Sequence, residues 1–168
     1  PYIQNFNDAD VLTNSGWTAY NVSGTNNKWV STTTNPKSAP RAVVMNGYSD
    51  NGPSKDWLIS PKLQLDTFDK FPLLSFHSRK YFPGPSLKLM VSTNYDGVSS
   101  PETATWIDLD GKFPTVTGSY VQSQYINLGD YKTNHTYLAW VYETTIGGGS
   151  GNASEWTIDD VAIPNDLN

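Results

Sequence analysis

Two adjacent carboxylates, Asp159 and Asp160, lie inside an apolar run at residues 156–163. If this run is a β-strand, adjacent side chains point to opposite faces, so at least one carboxylate faces the packed side or the strand edge. An unpaired charge there is costly. A Ca²⁺ ion would neutralise it with oxygen ligands. The alternatives are backbone N–H donors or an ion pair with Arg41 or Arg79.

Nucleophilic and zinc chemistry have little support in the sequence. The chain contains no Cys and only two His, His77 and His135. The lack of Cys excludes disulfides, thiolate zinc sites and cysteine nucleophiles. The motifs G-x-S-x-G and H-E-x-x-H do not occur, and two His cannot supply a three-His zinc site. We therefore expect neither a hydrolytic triad nor a catalytic zinc site, and an enzyme is the least favoured class of function.

A second pair of carboxylates, Glu143 and Glu155, flanks a Gly-rich segment at residues 146–152. If that segment joins two paired strands, the carboxylates face each other, as the acids of glycosidases do. The segment is either a slack hairpin loop or a mobile flap, and we favour the loop. We also favour solvated carboxylates over a catalytic pair, because the sequence does not define the strand register.

Length, composition and charge limit the fold that positions these residues. The chain has 168 residues, of which 37% are hydrophobic, 13% aromatic and 16% charged. This length fits a single domain covering residues 1–168. The net charge of −5, with no run of Lys or Arg, argues against nucleic-acid and polybasic membrane contacts. No apolar stretch is long enough to span a bilayer.

Turn residues separate short segments rich in Val, Ile, Thr, Tyr and Trp, a pattern typical of an all-β sandwich. One helical turn is predicted at Val11–Asn14. The eight predicted strands cover residues 41–46, 56–60, 73–79, 87–93, 105–109, 122–127, 137–143 and 155–163.

Alternation assigns the faces of two predicted strands. In the fourth strand Leu87, Leu89 and Val91 point to one side, which we expect to be the core. In the strand at 137–143 both faces are apolar. Such a strand lies in the middle of a sheet in a two-sheet sandwich, or it carries a ligand surface on one face.

Several motifs, in order along nearly the whole chain, resemble the choice-of-anchor J and cleaved-adhesin group of secreted Bacteroidetes proteins. They are N-F-N-D at 5–8 with Trp17 and Trp29, D-W-L-I-S-P at 56–61, V-S-T-N-Y-D-G at 91–97 with T-W at 105–106, and W-T-I-D-D-V at 156–161. The resemblance implies an all-β, two-sheet antiparallel jelly-roll that is stabilised by calcium. It also implies a non-catalytic domain appended to secreted proteases, glycosidases or adhesins.

The resemblance further implies a metal site that uses the position after the first Phe, here Asn7, together with Asp159 and Asp160. Asn7 keeps an oxygen but lacks the charge of the acidic residue found in relatives, and Asp8 is a substitute. Asp56 is either a further ligand or an acceptor that caps a turn. Some relatives carry an acidic loop after the first Trp, and the equivalent residues 21–27 lack carboxylates, so we expect no second ion there.

Exposed aromatic side chains in loops are the candidates for ligand binding, because sugar rings stack on them. We predict this role for Tyr48, Tyr81, Phe82 and Tyr95. The tryptophans in strands, Trp57, Trp106, Trp140 and Trp156, are predicted to be core residues.

A carbohydrate-binding accessory module is the first functional hypothesis. A domain that binds a cell-surface protein and a structural spacer are the alternatives. Because the chain begins at Pro1 and shows no signal peptide, we expect it to be part of a longer multidomain protein. The resemblance implies that this protein is secreted or displayed on the surface of a bacterium, and we expect the domain to be monomeric.

Overall fold

The computed structural model describes residues 1–147 and 152–164. In this part of the chain there are short 3₁₀ turns, one helical turn, α1 (Val11–Asn14), and twelve β-strands. The strands are β1 (Tyr2–Gln4), β2 (Thr18–Ser23), β3 (Val30–Thr32), β4 (Ala42–Asn46), β5 (Ser54–Ile59), β6 (Leu73–Tyr81), β7 (Lys88–Ser92), β8 (Ile107–Asp108), β9 (Tyr120–Gln122), β10 (Ile126–Asn127), β11 (Tyr137–Thr144) and β12 (Glu155–Ile163).

The strands form two antiparallel sheets. A seven-stranded sheet has the order β10-β6-β12-β4-β3, with β1 also paired to β12 and β9 also paired to β6. A five-stranded sheet has the order β2-β5-β11-β7-β8. The predicted all-β, two-sheet antiparallel jelly-roll sandwich is confirmed.

Most of the predicted strands are present, with shifted ends. The segment at 155–163 and the helical turn have the predicted bounds. The predicted strand at 122–127 is instead two strands, β9 and β10, because the chain leaves the ladder at Ser123, whose hydroxyl accepts a hydrogen bond from the Phe76 N–H. Strands β1, β2 and β3 were not predicted, because they are short or rich in polar residues.

The structure excludes the less favoured alternative, in which Glu143 and Glu155 face each other across a hairpin. Glu143 lies on β11 in the five-stranded sheet, and Glu155 lies on β12 in the seven-stranded sheet. The connection between them passes from one sheet to the other, so the two strands do not pair. Residues 148–151 of the predicted Gly-rich loop lie outside the described residues.

The main core fills the space between the sheets, and its largest fully buried side chains are Trp17, Trp29, Trp140 and Trp156. A second apolar cluster covers the outer face of the five-stranded sheet. Strand β11 contributes alternate residues to both clusters, which confirms that both of its faces are covered. The predicted inward face of β7, with Leu87, Leu89 and Val91, is also confirmed.

Candidate functional site

The outer face of the seven-stranded sheet brings polar and aromatic side chains into one row. Trp156 and Ile158 point into the core, so Glu155 points outward. Glu155 lies opposite Asn46 on β4 and opposite Tyr81 on β6. Because neighbouring strands are about 4.8 Å apart, this row of three residues extends about 10 Å across the sheet.

The Glu155 carboxylate has only long contacts with its neighbours. Arg79 Nη1 lies 3.9 Å from Glu155 Oε1, and Asn46 Nδ2 lies 3.4 Å from Oε2. Both distances exceed those of strong charge-assisted hydrogen bonds. The carboxylate is half-buried and keeps the capacity to accept hydrogen bonds from a ligand.

Two aromatic rings border this carboxylate. Tyr81 and Phe82 are 40% and 50% exposed, and their rings meet edge to face at 4.8 Å and 82°. The guanidinium of Arg79 lies 5.0 Å from the centre of the Tyr81 ring. One face of Tyr81 is therefore occupied by a cation, and at most one face remains for a ligand to stack on.

The backbone after these rings is held in place. Gly84 has a positive φ of 155°, and a side chain there would collide with Ser154. Trp156 Nε1 donates a 3.2 Å hydrogen bond to the carbonyl of Pro85. These contacts anchor the 82–86 loop on the start of β12, next to Glu155.

A depression of about 350 Å³ lies on the other side of Glu155. Val30 and Val44 supply its apolar surface. Its polar lining comes from Thr25, Asn26, Asn27, Lys28, Asn46 and Glu155. A concave site with a small apolar area and several convergent polar groups is typical of ligand pockets.

Hydrogen bonds between two loops fix the rim of this depression. Asn26 N donates to Asp50 Oδ1 at 3.0 Å, and Asn27 Nδ2 donates to Ser49 Oγ at 2.7 Å. Tyr48 N donates to Asn46 Oδ1 at 2.9 Å. Tyr48, which is 57% exposed, is thereby held beside the Asn46 end of the row.

The loop between β3 and β4 folds back over the same face of the sheet. The N–H groups of Lys37 and Ser38 donate to Asp159 Oδ2 at 2.9 and 3.1 Å. Farther across the sheet, Tyr120 Oη donates to the carbonyl of Asn35 at 2.6 Å. We call residues 35–38 together with Tyr120 the bridge.

Asp159 and Asp160 both contact the bridge. Asp159 is fully buried, and besides the two bridge N–H groups it accepts one from Asp160 N at 2.8 Å. Burial raises the pKa of Asp159 to about 6, although these hydrogen bonds oppose the shift. Asp160 accepts the Ser38 hydroxyl with both oxygens, at 2.8 and 2.9 Å. Backbone N–H groups, one of the alternatives considered for the doublet, therefore contact Asp159.

The other predicted metal ligands lie in two places. Strand β1 ends at Gln4, which lies opposite Val161. The chain continues from there past Asp160, and Asn7 lies three residues after the end of the strand. Asn7 Oδ1 is buried and has no hydrogen-bond partner. Asp8 is exposed and accepts the Asp10 N–H at 2.8 Å.

Asp56 lies apart from these residues, on β5 in the five-stranded sheet. It is fully buried; Oδ1 accepts from Asn21 Nδ2 at 2.9 Å, and Oδ2 has no partner. Burial, followed by the nearby Asp50 charge, raises its pKa to about 7. Within residues 1–147 and 152–164, no three His, Cys, Asp or Glu side chains form a group suited to a metal ion.

Of the four predicted binding aromatics, Tyr48, Tyr81 and Phe82 are exposed as expected. The expectation that Tyr95 is exposed is wrong, since only 6% of it is accessible. Its ring packs at 5.6 Å from Trp106 and 5.1 Å from Tyr137. The predicted core positions of Trp57, Trp140 and Trp156 are confirmed, whereas Trp106 is half-buried.

Sequence reasoning did not assign a binding role to Asn46, Arg79 or Glu155. These three side chains come together through the register of three strands that are distant in the chain. It also missed two exposed rings, Phe71 and Tyr125, which lie toward the other end of β6.

No protein-family model matches this sequence, and a search of curated proteins found no match. The structure is similar to the K1 and K3 cleaved adhesin domains of Lys-gingipain from Porphyromonas gingivalis W83. The K1 domain is 14% identical with a TM-score of 0.59, covering 99% of this chain and 98% of that one. The K3 domain is 17% identical with a TM-score of 0.57, covering 98% of each chain.

The structure is also similar to the CBM22-1 xylan-binding domain of Xyn10C from Paenibacillus barcinonensis. That domain is 12% identical with a TM-score of 0.53, and the match covers 99% of this chain and 95% of that one. At these identities the similarity establishes a shared β-sandwich fold. Both carbohydrate-binding modules and adhesin domains are thus structural neighbours of the protein.

The row and the depression together have the groups needed to recognise hydroxyls. Glu155 accepts hydrogen bonds, Lys28 and Arg79 donate them, and the side-chain amides of Asn27 and Asn46 do both. Within the described residues, no helix has the length and apolar character needed to cross a membrane.

Proposed function

We propose that the protein is a non-catalytic carbohydrate-binding module that holds a glycan on the outer face of its seven-stranded sheet. The observation that carries this proposal is the row Asn46–Glu155–Tyr81. In this row a carboxylate with only long contacts lies between an amide and an exposed ring. Sugar hydroxyls both donate and accept hydrogen bonds, and the apolar face of a sugar stacks on an aromatic ring. The row offers both kinds of contact within the length of two sugar units.

The structural neighbours support the same class of function, because one is named a xylan-binding domain and two are named adhesin domains. We propose on this basis that the protein is secreted or displayed on a bacterial surface as part of a multidomain chain. The second candidate is an adhesin domain that binds a cell-surface protein. The exposed rings of Tyr48 and Phe82 beside the row favour it, since aromatic side chains are enriched at protein interfaces.

The glycan proposal is tested by affinity electrophoresis in gels that contain β-1,4-xylan, β-1,4-glucan, β-1,4-galactan or a host glycoprotein. We expect one polysaccharide to retard the protein, and Glu155→Gln to reduce the retardation about tenfold. Glu143→Gln, which alters an exposed carboxylate on the other sheet, is the matched control. Retardation by the glycoprotein alone would favour the adhesin candidate, and equal effects of the two substitutions would exclude this site.

We also propose that calcium binds near the middle of β12, with Asn7, Asp8 and Asp160 as oxygen ligands and Asp159 next to them. The support is the buried Asn7 Oδ1, which has no hydrogen-bond partner, together with an Asp160 carboxylate that accepts a hydrogen bond only from the Ser38 hydroxyl within the described residues. The position of Asp56 on the other sheet argues for a separate, structural role. When bound, calcium would neutralise the negative charge of Asp159 and Asp160 and would connect the N-terminal segment to β12.

Thermal melts in chelator and in calcium test the metal proposal. Because calcium binds only the folded state, a hundredfold excess over Kd adds about 2.7 kcal/mol. Asp160→Ala should abolish this shift, and Asp66→Ala, an exposed carboxylate near β6, should not change it. A calcium shift that survives in Asp160→Ala would refute this ligand set.

A further inference from the structure

The bridge crosses nearly the full width of the seven-stranded sheet. The loop leaves β3 at Thr32 and lies on Asp159 of β12 through the Lys37 and Ser38 N–H groups. It ends against Tyr120 on β9, beyond β6. Between β3 and β9 the sheet order places β4, β12 and β6, so the bridge passes over all three strands.

The bridge divides the outer face into two compartments. Tyr120 lies opposite Arg79, and Asp159 lies opposite His77, so the bridge is level with the middle of β6. Tyr81 and Phe82 lie beyond one side of it, at the end of β6. Phe71 precedes β6 and Tyr125 precedes β10, so these two exposed rings lie beyond the other side.

This division limits the path of any bound chain. A chain lying along β6 from Tyr81 toward Tyr125 would have to pass over the bridge, which is tied to the sheet by hydrogen bonds at Asp159 and Tyr120. A chain lying across the strands meets no such barrier. From the rim residues Asn27 and Lys28 of the depression to Tyr81, it passes over Asn46 of β4 and Glu155 of β12.

We propose that the glycan lies across the strands, with the bridge as its side wall, and that the site accommodates about three consecutive sugar units of a linear chain. This inference rests on the proposed function of the same face. The path extends from β3 to β6 over four neighbouring strands. The three spacings between these strands, each about 4.8 Å, give a length of about 14 Å. An extended chain of three pyranose units covers this length.

Each part of the path offers a different contact. The depression takes one unit between Val44 and the rim residues Asn27 and Lys28. The middle unit lies over Glu155, whose carboxylate accepts its hydroxyls. The third unit stacks on Tyr81, beside the perpendicular Phe82 ring. Asn46, Glu155 and Tyr81 lie on one line across the strands, so a linear chain fits better than a branched one.

The test is isothermal titration of the intact protein with xylo-, cello- and β-1,4-galacto-oligosaccharides of two to six units. We expect the affinity for one of these series to increase up to the trisaccharide and then to stay constant. Tyr81→Ala should weaken hexasaccharide binding about tenfold, the loss of one aromatic contact. Tyr125→Ala, which removes a more exposed ring beyond the bridge, is the control and should leave the affinity within about twofold of the parent.

Two results would overturn the inference in different ways. If affinity keeps increasing to the hexasaccharide and Tyr125→Ala weakens binding as much as Tyr81→Ala, the chain lies along β6. The path would then be wrong, and glycan binding by this face would stand. If no oligosaccharide series and no polysaccharide binds, the path and the proposed function both fail.

Discussion

The two outer faces of the sandwich use aromatic residues in opposite ways. On the five-stranded sheet, the ring of Trp106 packs 5.0 Å from Trp57 and 5.6 Å from Tyr95. The Tyr95 ring packs 5.1 Å from Tyr137, so the rings of residues 94–106 cover this face. On the seven-stranded sheet, Tyr81 and Phe82 stay exposed beside Glu155 and Arg79. The difference lies in what covers each face: the aromatic side chains Tyr95 and Trp106 close the first, and a polar bridge leaves part of the second open.

The comparison shows that the number of aromatic residues does not indicate how many can bind a ligand. Burial of an aromatic side chain contributes to the stability of the fold, whereas exposure makes it available for stacking. Substitutions on the two faces should therefore separate stability from binding. Four predictions, in order of decreasing effect, test this separation.

Trp57→Ala should reduce the free energy of unfolding by about 4 kcal/mol, because it empties the centre of the covered cluster. Tyr81→Ala on the open face should change it by about 0.5 kcal/mol or less. Urea unfolding followed by far-UV circular dichroism measures both. Equal losses would contradict the distinction between a closed and an open face.

Asp159→Ala should lower the free energy of unfolding by about 3 kcal/mol in the presence of chelator, because it leaves three partly buried N–H groups without an acceptor. It also removes the attachment of the bridge to β12. Thermal melts in EGTA separate this effect from calcium binding. Asp160→Ala, which loses only the Ser38 hydroxyl, is the control with the smaller expected loss.

Asp56 should make the protein less stable as the pH increases. Its folded-state pKa of about 7 lies above the ordinary 3.8, so the folded state holds a proton that the unfolded state releases. The contribution of Asp56 to the free energy of unfolding is most favourable below about pH 4 and is lost as the pH rises from there through 7. Asp56→Asn should gain about 2 kcal/mol at pH 8 and little at pH 4.

Urea unfolding at a series of pH values measures this dependence. The raised pKa of Asp159, about 6, acts in the same direction, so the Asp56→Asn protein should keep a weaker decline that ends near pH 6. A parent protein whose stability increases between pH 4 and 8 would contradict the assignment of both groups.

Glu102→Gln should have the smallest effect, about 0.5 kcal/mol, because its ion pair with Lys55 is partly exposed. The pair connects residues 94–106, which cover the five-stranded sheet, to β5, and Lys55 Nζ lies 2.8 Å from Glu102 Oε2. A double-mutant cycle with Lys55→Gln, repeated at high salt, measures the coupling. A coupling above about 2 kcal/mol would show that the cover depends on this ion pair rather than on ring packing.

The sequence contains enough information to predict most of the fold. Period-two alternation identifies β7, and the apolar character of both faces of β11 correctly predicts a strand covered on both sides. These signals are local. The short strands β1, β2 and β3 were missed because three to six residues with polar side chains carry little periodicity.

The candidate site was predicted only in part, because it depends on contacts between distant segments. Tyr81 and Phe82 follow a strand and precede Pro83, so their exposure could be predicted. Tyr95 occupies a similar turn, but Trp106 covers it. The alignment of Glu155 with Asn46 and Tyr81 is set by pairings between residues that are 109 and 74 positions apart in the chain.

The pairing of β1 with β12 has a mechanical consequence. Tyr2 lies opposite Ile163, so the two ends of the described chain leave the sheet at the same side. A force that pulls Pro1 and Pro164 apart would open this ladder one pair at a time, instead of shearing all of its hydrogen bonds together. The hydrogen bond from Trp17 Nε1 to Tyr2 Oη would be lost early. Under tension applied at these two points, we expect the sandwich to yield at low force, beginning with β1.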